Sequence, residues 1–117
     1  MRALSQAAAY RGVVLLLWVL AAYGTATCRG LFWDGSSFLV NILDRGWFHD
    51  FYGARSHVDW LTQAPVLALS ELGVRDTRLL AMVYSATLFG LPTALYHLAL
   101  ARVRDDAVLL GIVIAVI

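Results

Sequence analysis

The sequence predicts an all-α fold of polytopic transmembrane helices, with a long outer loop that contains short amphipathic interfacial helices. Hydrophobic residues make up 61% of the 117 residues, and the charged residues divide the chain into long uncharged runs. A chain this short has too little interior to bury so much apolar surface in water. We therefore expect one membrane domain over residues 1–117. The net charge of +1, with no basic stripe, argues against a nucleic-acid partner.

Three uncharged runs predict the membrane spans. The first, residues 12–28, contains 17 residues and covers about 26 Å, close to a bilayer core of about 30 Å. The second, residues 79–101, contains 23 residues and covers about 34 Å. The third, residues 107–117, covers only about 16 Å. We expect a partial span in a fragment of a longer protein, whose remaining transmembrane helices are partners; the alternative is a native end that dips into the membrane.

Arginine positions predict the orientation of the chain. Arg2 and Arg11 lie in the short segment before the first span, whereas Arg102 and Arg104 follow the second. The excess of positive charge in cytoplasmic segments places both groups in the cytoplasm. The outer loop, residues 29–78, then faces the periplasm of a bacterial inner membrane. A cleavable signal peptide is the alternative interpretation of the first span, because small residues end its apolar run.

The outer loop is too long for a simple connection and contains helical patterns of its own. Apolar residues recur at helical spacing over residues 38–43, and Gly46 closes this amphipathic helix. Ser56 and Asp59 form a capping-box-like pair ahead of Trp60-Leu61. Pro65 can open and Gly73 can close a second short helix. Aromatic side chains that settle at the lipid headgroup level place the loop on the membrane surface; they are Trp33, Trp47, Tyr52 and Trp60.

Polar side chains of the same loop are candidates for chemistry at the membrane surface. Asp34 is a candidate general base, or alternatively the N-cap of a helix that starts at Ser36. Arg55 suits a phosphate because its guanidinium forms paired hydrogen bonds, although a salt bridge is the alternative. The remaining candidates are histidine and aspartate side chains whose spacing fits no closed metal site. Their plainer interpretation is that they are solvated loop residues. These candidate substrate-binding residues are His49, Asp50 and His57.

The segment Asp34-Gly35-Ser36-Ser37-Phe38, soon after the first span, resembles an acidic motif of the C-type glycosyltransferases. In these polytopic enzymes, which include protein mannosyltransferases and lipid A aminoarabinose transferases, the first outer loop contains Asp-Glu-x-x-aromatic. Gly35 replaces the second acidic residue, which leaves a single-aspartate variant of the motif. The layout of one span, an aspartate and amphipathic helices before the next span is also similar.

The resemblance implies a function and a donor. Asp34 would be the general base or an ion-positioning carboxylate, and the donor would be a polyprenyl-phosphate sugar used at the outer membrane face. The competing class is a noncatalytic multispanning membrane protein, such as a transporter part or an assembly subunit. In that class, Asp34 only caps a helix. The residues identify no cofactor.

Overall fold

The structure, a computed structural model, describes residues 5–32, 34–49 and 56–117, with the side chains of residues 56–58 excepted. Every regular element in these ranges is helical, which confirms the predicted all-α class. The order is α1 Gln6–Ala26, a 3-10 turn Arg29–Leu31, α2 Gly35–Arg45, α3 Ser56–Glu71, α4 Thr77–Val103 and α5 Ala107–Val116.

Helices α1 and α4 are long and apolar enough to cross a membrane. Their 21 and 27 residues cover about 32 and 40 Å. Only 11% of the most apolar stretch of α1 and 28% of that of α4 is buried, whereas the core helix of a soluble protein is mostly buried. Exposed apolar surface on both helices is typical of a membrane protein.

Helix α4 extends beyond its predicted span at both ends, whereas α1 begins before its predicted span and ends at Ala26, two residues short of the predicted end. Arg11 lies inside α1, which begins at Gln6 and not at Gly12. A charged residue does not interrupt helical hydrogen bonding, and a long arginine side chain can carry its charge to the aqueous edge. The uncharged runs therefore locate these helices correctly but underestimate their lengths.

Helices α1 and α4 pack side by side and antiparallel. At one end, Gln6 Nε2 donates a hydrogen bond to the Arg104 carbonyl oxygen at 2.7 Å. Toward the other end, a Cβ on Gly24 would lie 2.9 Å from the ring of Phe89. Glycine at this position lets the aromatic ring lie directly against the α1 backbone, so the two helices approach closely.

Helices α2 and α3 cover the first half of α4 and form the main apolar core. Helix α2 ends at Arg45, and Gly46 adopts a left-handed φ of +61°, which confirms the predicted helix and its glycine end. Its apolar face turns toward the protein. The buried members of this core are Leu39, Ile42, Val66, Leu67, Leu80, Ala81 and Tyr84.

Helix α3 begins at Ser56, where the capping-box-like pair indicates a helix start, but Pro65 does not open a separate helix. Pro65, expected at the first turn, lies inside a continuous helix that extends back to Ser56. Proline removes one backbone hydrogen bond from a helix interior. Tertiary contacts compensate here: Val66 is fully buried, and Thr87 Oγ1 of α4 donates to the Thr62 carbonyl oxygen at 2.7 Å. Gly73, with φ of +87°, follows the end of α3 as predicted.

Helix α5 coincides with the third apolar run and returns alongside α4 and α1. The Asp106 carboxylate accepts hydrogen bonds from the backbone N–H groups of Val108 and Leu109, both at 3.0 Å. This N-cap satisfies two of the donors that a helix start leaves unpaired. Helix α5 therefore begins at a defined residue after a short turn.

Candidate functional site

The turn that follows α1 is seated directly on the α4 backbone. Gly30 N–H donates a hydrogen bond to Ser85 Oγ at 3.0 Å, and Ser85 is fully buried. A Cβ on Gly30 would lie 2.7 Å from Ser85 Oγ and 2.8 Å from Ser85 Cα. Because only glycine permits this approach, Gly30 fixes the height of the turn on α4.

A second glycine folds the turn onto the start of α2. A Cβ on Gly35, the first residue of α2, would overlap the Gly30 carbonyl oxygen. Cys28, just after α1, adopts a left-handed φ of +51°, which is uncommon for a residue other than glycine. The described residues between 28 and 35 therefore form a tight reversal, which we call the outer turn after the outer loop that the sequence predicts here.

The outer turn places two exposed charged residues next to the Gly30–Gly35 contact. Arg29 precedes Gly30 and Asp34 precedes Gly35, and both side chains are exposed. No ion pair joins them in the described part of the chain. A guanidinium and a carboxylate are therefore presented at the same end of the α1–α4 pair.

Asp34 occupies the N-cap position of α2 but does not cap the helix with its side chain. Its φ of −76° and ψ of −14° are helical, whereas an N-cap that accepts hydrogen bonds from the first turn has extended geometry. The predicted position is confirmed, and the predicted carboxylate-to-backbone bonds are absent among the described residues. The carboxylate is thus available for another role.

Below the outer turn, an apolar groove of about 420 Å³ runs between α1 and α4. Arg29 lies at its end, with its guanidinium carbon 6.0 Å from the centre of the Tyr23 ring, within cation–π range. The groove combines an apolar channel with a single cation at its rim. Its remaining lining residues are Leu17, Leu20, Ala21, Gly24, Leu88, Phe89, Pro92, Thr93, Tyr96 and, from the end of α5, Ile117.

His49 is buried, with 8% of its surface exposed, so it is not a solvated loop residue. Gln63 Oε1 accepts from the His49 backbone N–H at 2.7 Å, and Gln63 Nε2 donates to the His49 carbonyl oxygen at 3.0 Å. The His49 ring packs on Phe38 with ring centres 4.7 Å apart. Since Phe38 N–H bonds to the Asp34 carbonyl oxygen, these contacts support α2 one turn beyond Asp34.

The remaining predicted site residues fall outside these contacts. Asp50 and Arg55 lie outside the described residues, as do Trp33 and Tyr52, while His57 is in α3 with its side chain outside them. Sequence patterns did not single out Arg29, which marked only the end of a span, or Gln63. The closeness of Arg29 in sequence to the predicted Asp34 could have indicated Arg29. No sequence pattern indicated Gln63.

An aromatic group lies on the outer surface beside α3. Phe48 packs between Trp47 and Trp60, with both pairs of ring centres 5.6 Å apart. Trp47 is 66% exposed and Trp60 is 45% exposed. Tryptophan rings with this exposure suit the boundary between lipid and water.

Within the described ranges, no three histidine, cysteine, aspartate or glutamate side chains are grouped to hold a metal ion. Comparison of the chain with protein-family models, curated proteins and solved structures finds no match. Inferences about function therefore depend on the outer turn and the groove.

Proposed function

We propose that this chain is a polytopic membrane protein in which α1 and α4 span the bilayer and the outer turn faces the periplasm of a bacterial inner membrane. The exposed apolar surfaces of both helices support this arrangement, as do the arginines near the opposite end. Hydrogen bonds that join Gln6 to the C-cap of α4, and Tyr10 and Trp18 to His97 of α4, favour a permanent span over a removable signal peptide. The exposed Trp47 and Trp60 hold the α2–α3 layer at the interface.

The proposed ligand is a polyprenyl-phosphate sugar. Its isoprenoid chain lies in the apolar groove between α1 and α4, and its phosphate contacts Arg29 at the rim. The observation that carries this proposal is the cation at the end of an otherwise apolar groove. Arginine suits a phosphate because it stays charged and donates several hydrogen bonds.

The proposed reaction is transfer of the sugar to an acceptor hydroxyl at the outer face. Asp34 removes the hydroxyl proton, the acceptor oxygen forms a bond to the anomeric carbon, and the bond from that carbon to the phosphate oxygen breaks. Arg29 stabilises the departing phosphate. Asp50, Arg55 and His57 remain predicted contacts of the sugar or the phosphate, whereas the buried His49 supports α2.

The second candidate is a noncatalytic assembly subunit. The exposed aromatic group of Trp47, Phe48 and Trp60 favours it, because aromatic side chains are common in protein interfaces as well as at lipid headgroups. In this case the outer turn is a structural connection between α1 and α2. Asp34 then has no chemical task.

Turnover of a polyprenyl-phosphate sugar by the protein in liposomes separates these candidates. We expect Asp34→Asn to lower turnover about 100-fold or more, as loss of a general base does, with donor binding retained. Arg29→Gln should weaken donor binding. The matched control is Asp44→Asn, which removes an exposed carboxylate from the other end of α2 and should leave turnover unchanged. Unaltered turnover in the inserted Asp34 variant would eliminate the catalytic role.

A further inference from the structure

A second cavity, of about 410 Å³, lies at the opposite end of the α1–α4 pair. It opens between the first turns of α1 and the turn that joins α4 to α5. Its polar lining comes from Gln6, Tyr10, Arg11, Arg104 and Asp105. It is separate from the groove that begins at Arg29.

The Tyr10 hydroxyl is the last member of a hydrogen-bond chain that runs from Trp18 of α1 through His97 of α4. The indole N–H of Trp18 donates to His97 Nδ1 at 3.2 Å, and an indole can only donate. A neutral His97 ring must therefore carry its proton on Nε2, which lies 3.2 Å from the Tyr10 hydroxyl oxygen. That oxygen accepts the His97 proton, so the hydroxyl proton of Tyr10 points to a different acceptor.

The charge of the cavity favours an anion as that acceptor. Arg11 and Arg104 contribute two positive charges and Asp105 contributes one negative charge, so the lining carries 2 − 1 = +1. Asp105 lies 3.5 Å from Arg104 Nε and is 91% exposed. Gln6 is already engaged through Nε2, which donates to the Arg104 carbonyl oxygen, and this bond holds the two sides of the cavity together.

We propose that this cavity binds the phosphate group of an anionic phospholipid. Arg11 and Arg104 contact the phosphate oxygens, and the Tyr10 hydroxyl donates a third hydrogen bond that the Trp18–His97 chain orients. The site lies at the end where the arginines flank the long helices; it rests on the proposed bilayer span of α1 and α4, which would put this end at the level of the lipid headgroups. It does not depend on the proposed transferase function, because none of its residues lies at the outer turn.

The test uses the whole chain in nanodiscs of phosphatidylcholine doped with phosphatidylglycerol, with retained lipids counted by native mass spectrometry. We expect the wild-type protein to retain phosphatidylglycerol preferentially. Arg11→Gln and Arg104→Gln should each reduce that preference about fivefold. Arg78→Gln is the matched control, because it removes an exposed arginine at the other end of α4.

Two further measurements identify the source of the phosphate and exclude misfolding of the variants as the cause of a lost preference. Inorganic phosphate that displaces phosphatidylglycerol would show that the site recognises phosphate from either source, whereas no displacement assigns it to the lipid. Asp105→Asn should raise the preference about threefold, since it removes the only negative charge of the lining; a misfolded variant would lower it. Equal losses in the Arg11, Arg104 and Arg78 variants would indicate a diffuse surface charge and overturn the proposal.

Discussion

Replacing Gly30 with alanine tests whether backbone contact seats the outer turn on α4. The added Cβ would lie 2.8 Å from Ser85 Cα, and neither backbone can rotate away as a side chain would. The turn must move outward, which lengthens the 3.0 Å bond from Gly30 N–H to Ser85 Oγ. Overpacking costs about 1–3 kcal/mol, and a buried hydroxyl without its bond costs about 1–3 kcal/mol more.

The expected result is a loss of about 2–6 kcal/mol in the free energy of unfolding. Reversible unfolding of the protein in mixed micelles, followed by circular dichroism, measures this quantity. Gly12→Ala is the matched control, because nothing lies within 4 Å of its added Cβ. Alanine in a helix is favoured over glycine by about 1 kcal/mol, so the control should be slightly more stable. A Gly30 variant as stable as the wild type would refute the seating of the turn.

Two other substitutions test the supports around the site. Gln63→Leu removes the two hydrogen bonds that the Gln63 amide makes with the His49 backbone N–H and carbonyl, and we expect a loss of about 2–5 kcal/mol in the same unfolding measurement. Asp106→Ala removes the side-chain cap of α5, and we expect that helix start to lose about 1 kcal/mol. Faster hydrogen exchange at the amides of Val108 and Leu109 would report it.

Each of these two predictions has an outcome that would contradict it. A Gln63 variant that loses less than about 1 kcal/mol would mean that water or another group replaces the amide. For α5 the control is Asp105→Ala, which removes a neighbouring carboxylate that accepts no cap bond from the described first turn. Equal exchange in the Asp105 and Asp106 variants would assign the effect to general charge.

Strong local signals in the sequence predicted the helices well. Uncharged runs located α1, α4 and α5, and the left-handed glycines Gly46 and Gly73 end α2 and α3 as expected. Pro65 misled the prediction because a proline normally opens a helix, while here the burial of Val66 stabilises the helix around it. Tertiary packing outweighs a local preference at that residue.

The candidate site was predicted only in part, because its geometry depends on contacts distant in sequence. Asp34 was found from its place after the first apolar run, but its helical backbone angles, which remove it from capping, have no local signature. The contact between Gly30 and Ser85 joins residues 55 positions apart. Gln63 pairs with His49 across 14 positions. No periodic pattern records such pairings.

The two backbone contacts of the outer turn also determine how its charges can move. Gly30 is hydrogen-bonded to Ser85 of α4, and the Gly35 backbone lies in close contact with the Gly30 carbonyl oxygen, so the start of α2 lies close to α4. We expect that a shift of α4 relative to α1 would carry the backbone at Arg29 and Asp34 with it. Their spacing along the chain is then preserved, while their position relative to α1 changes with the position of α4.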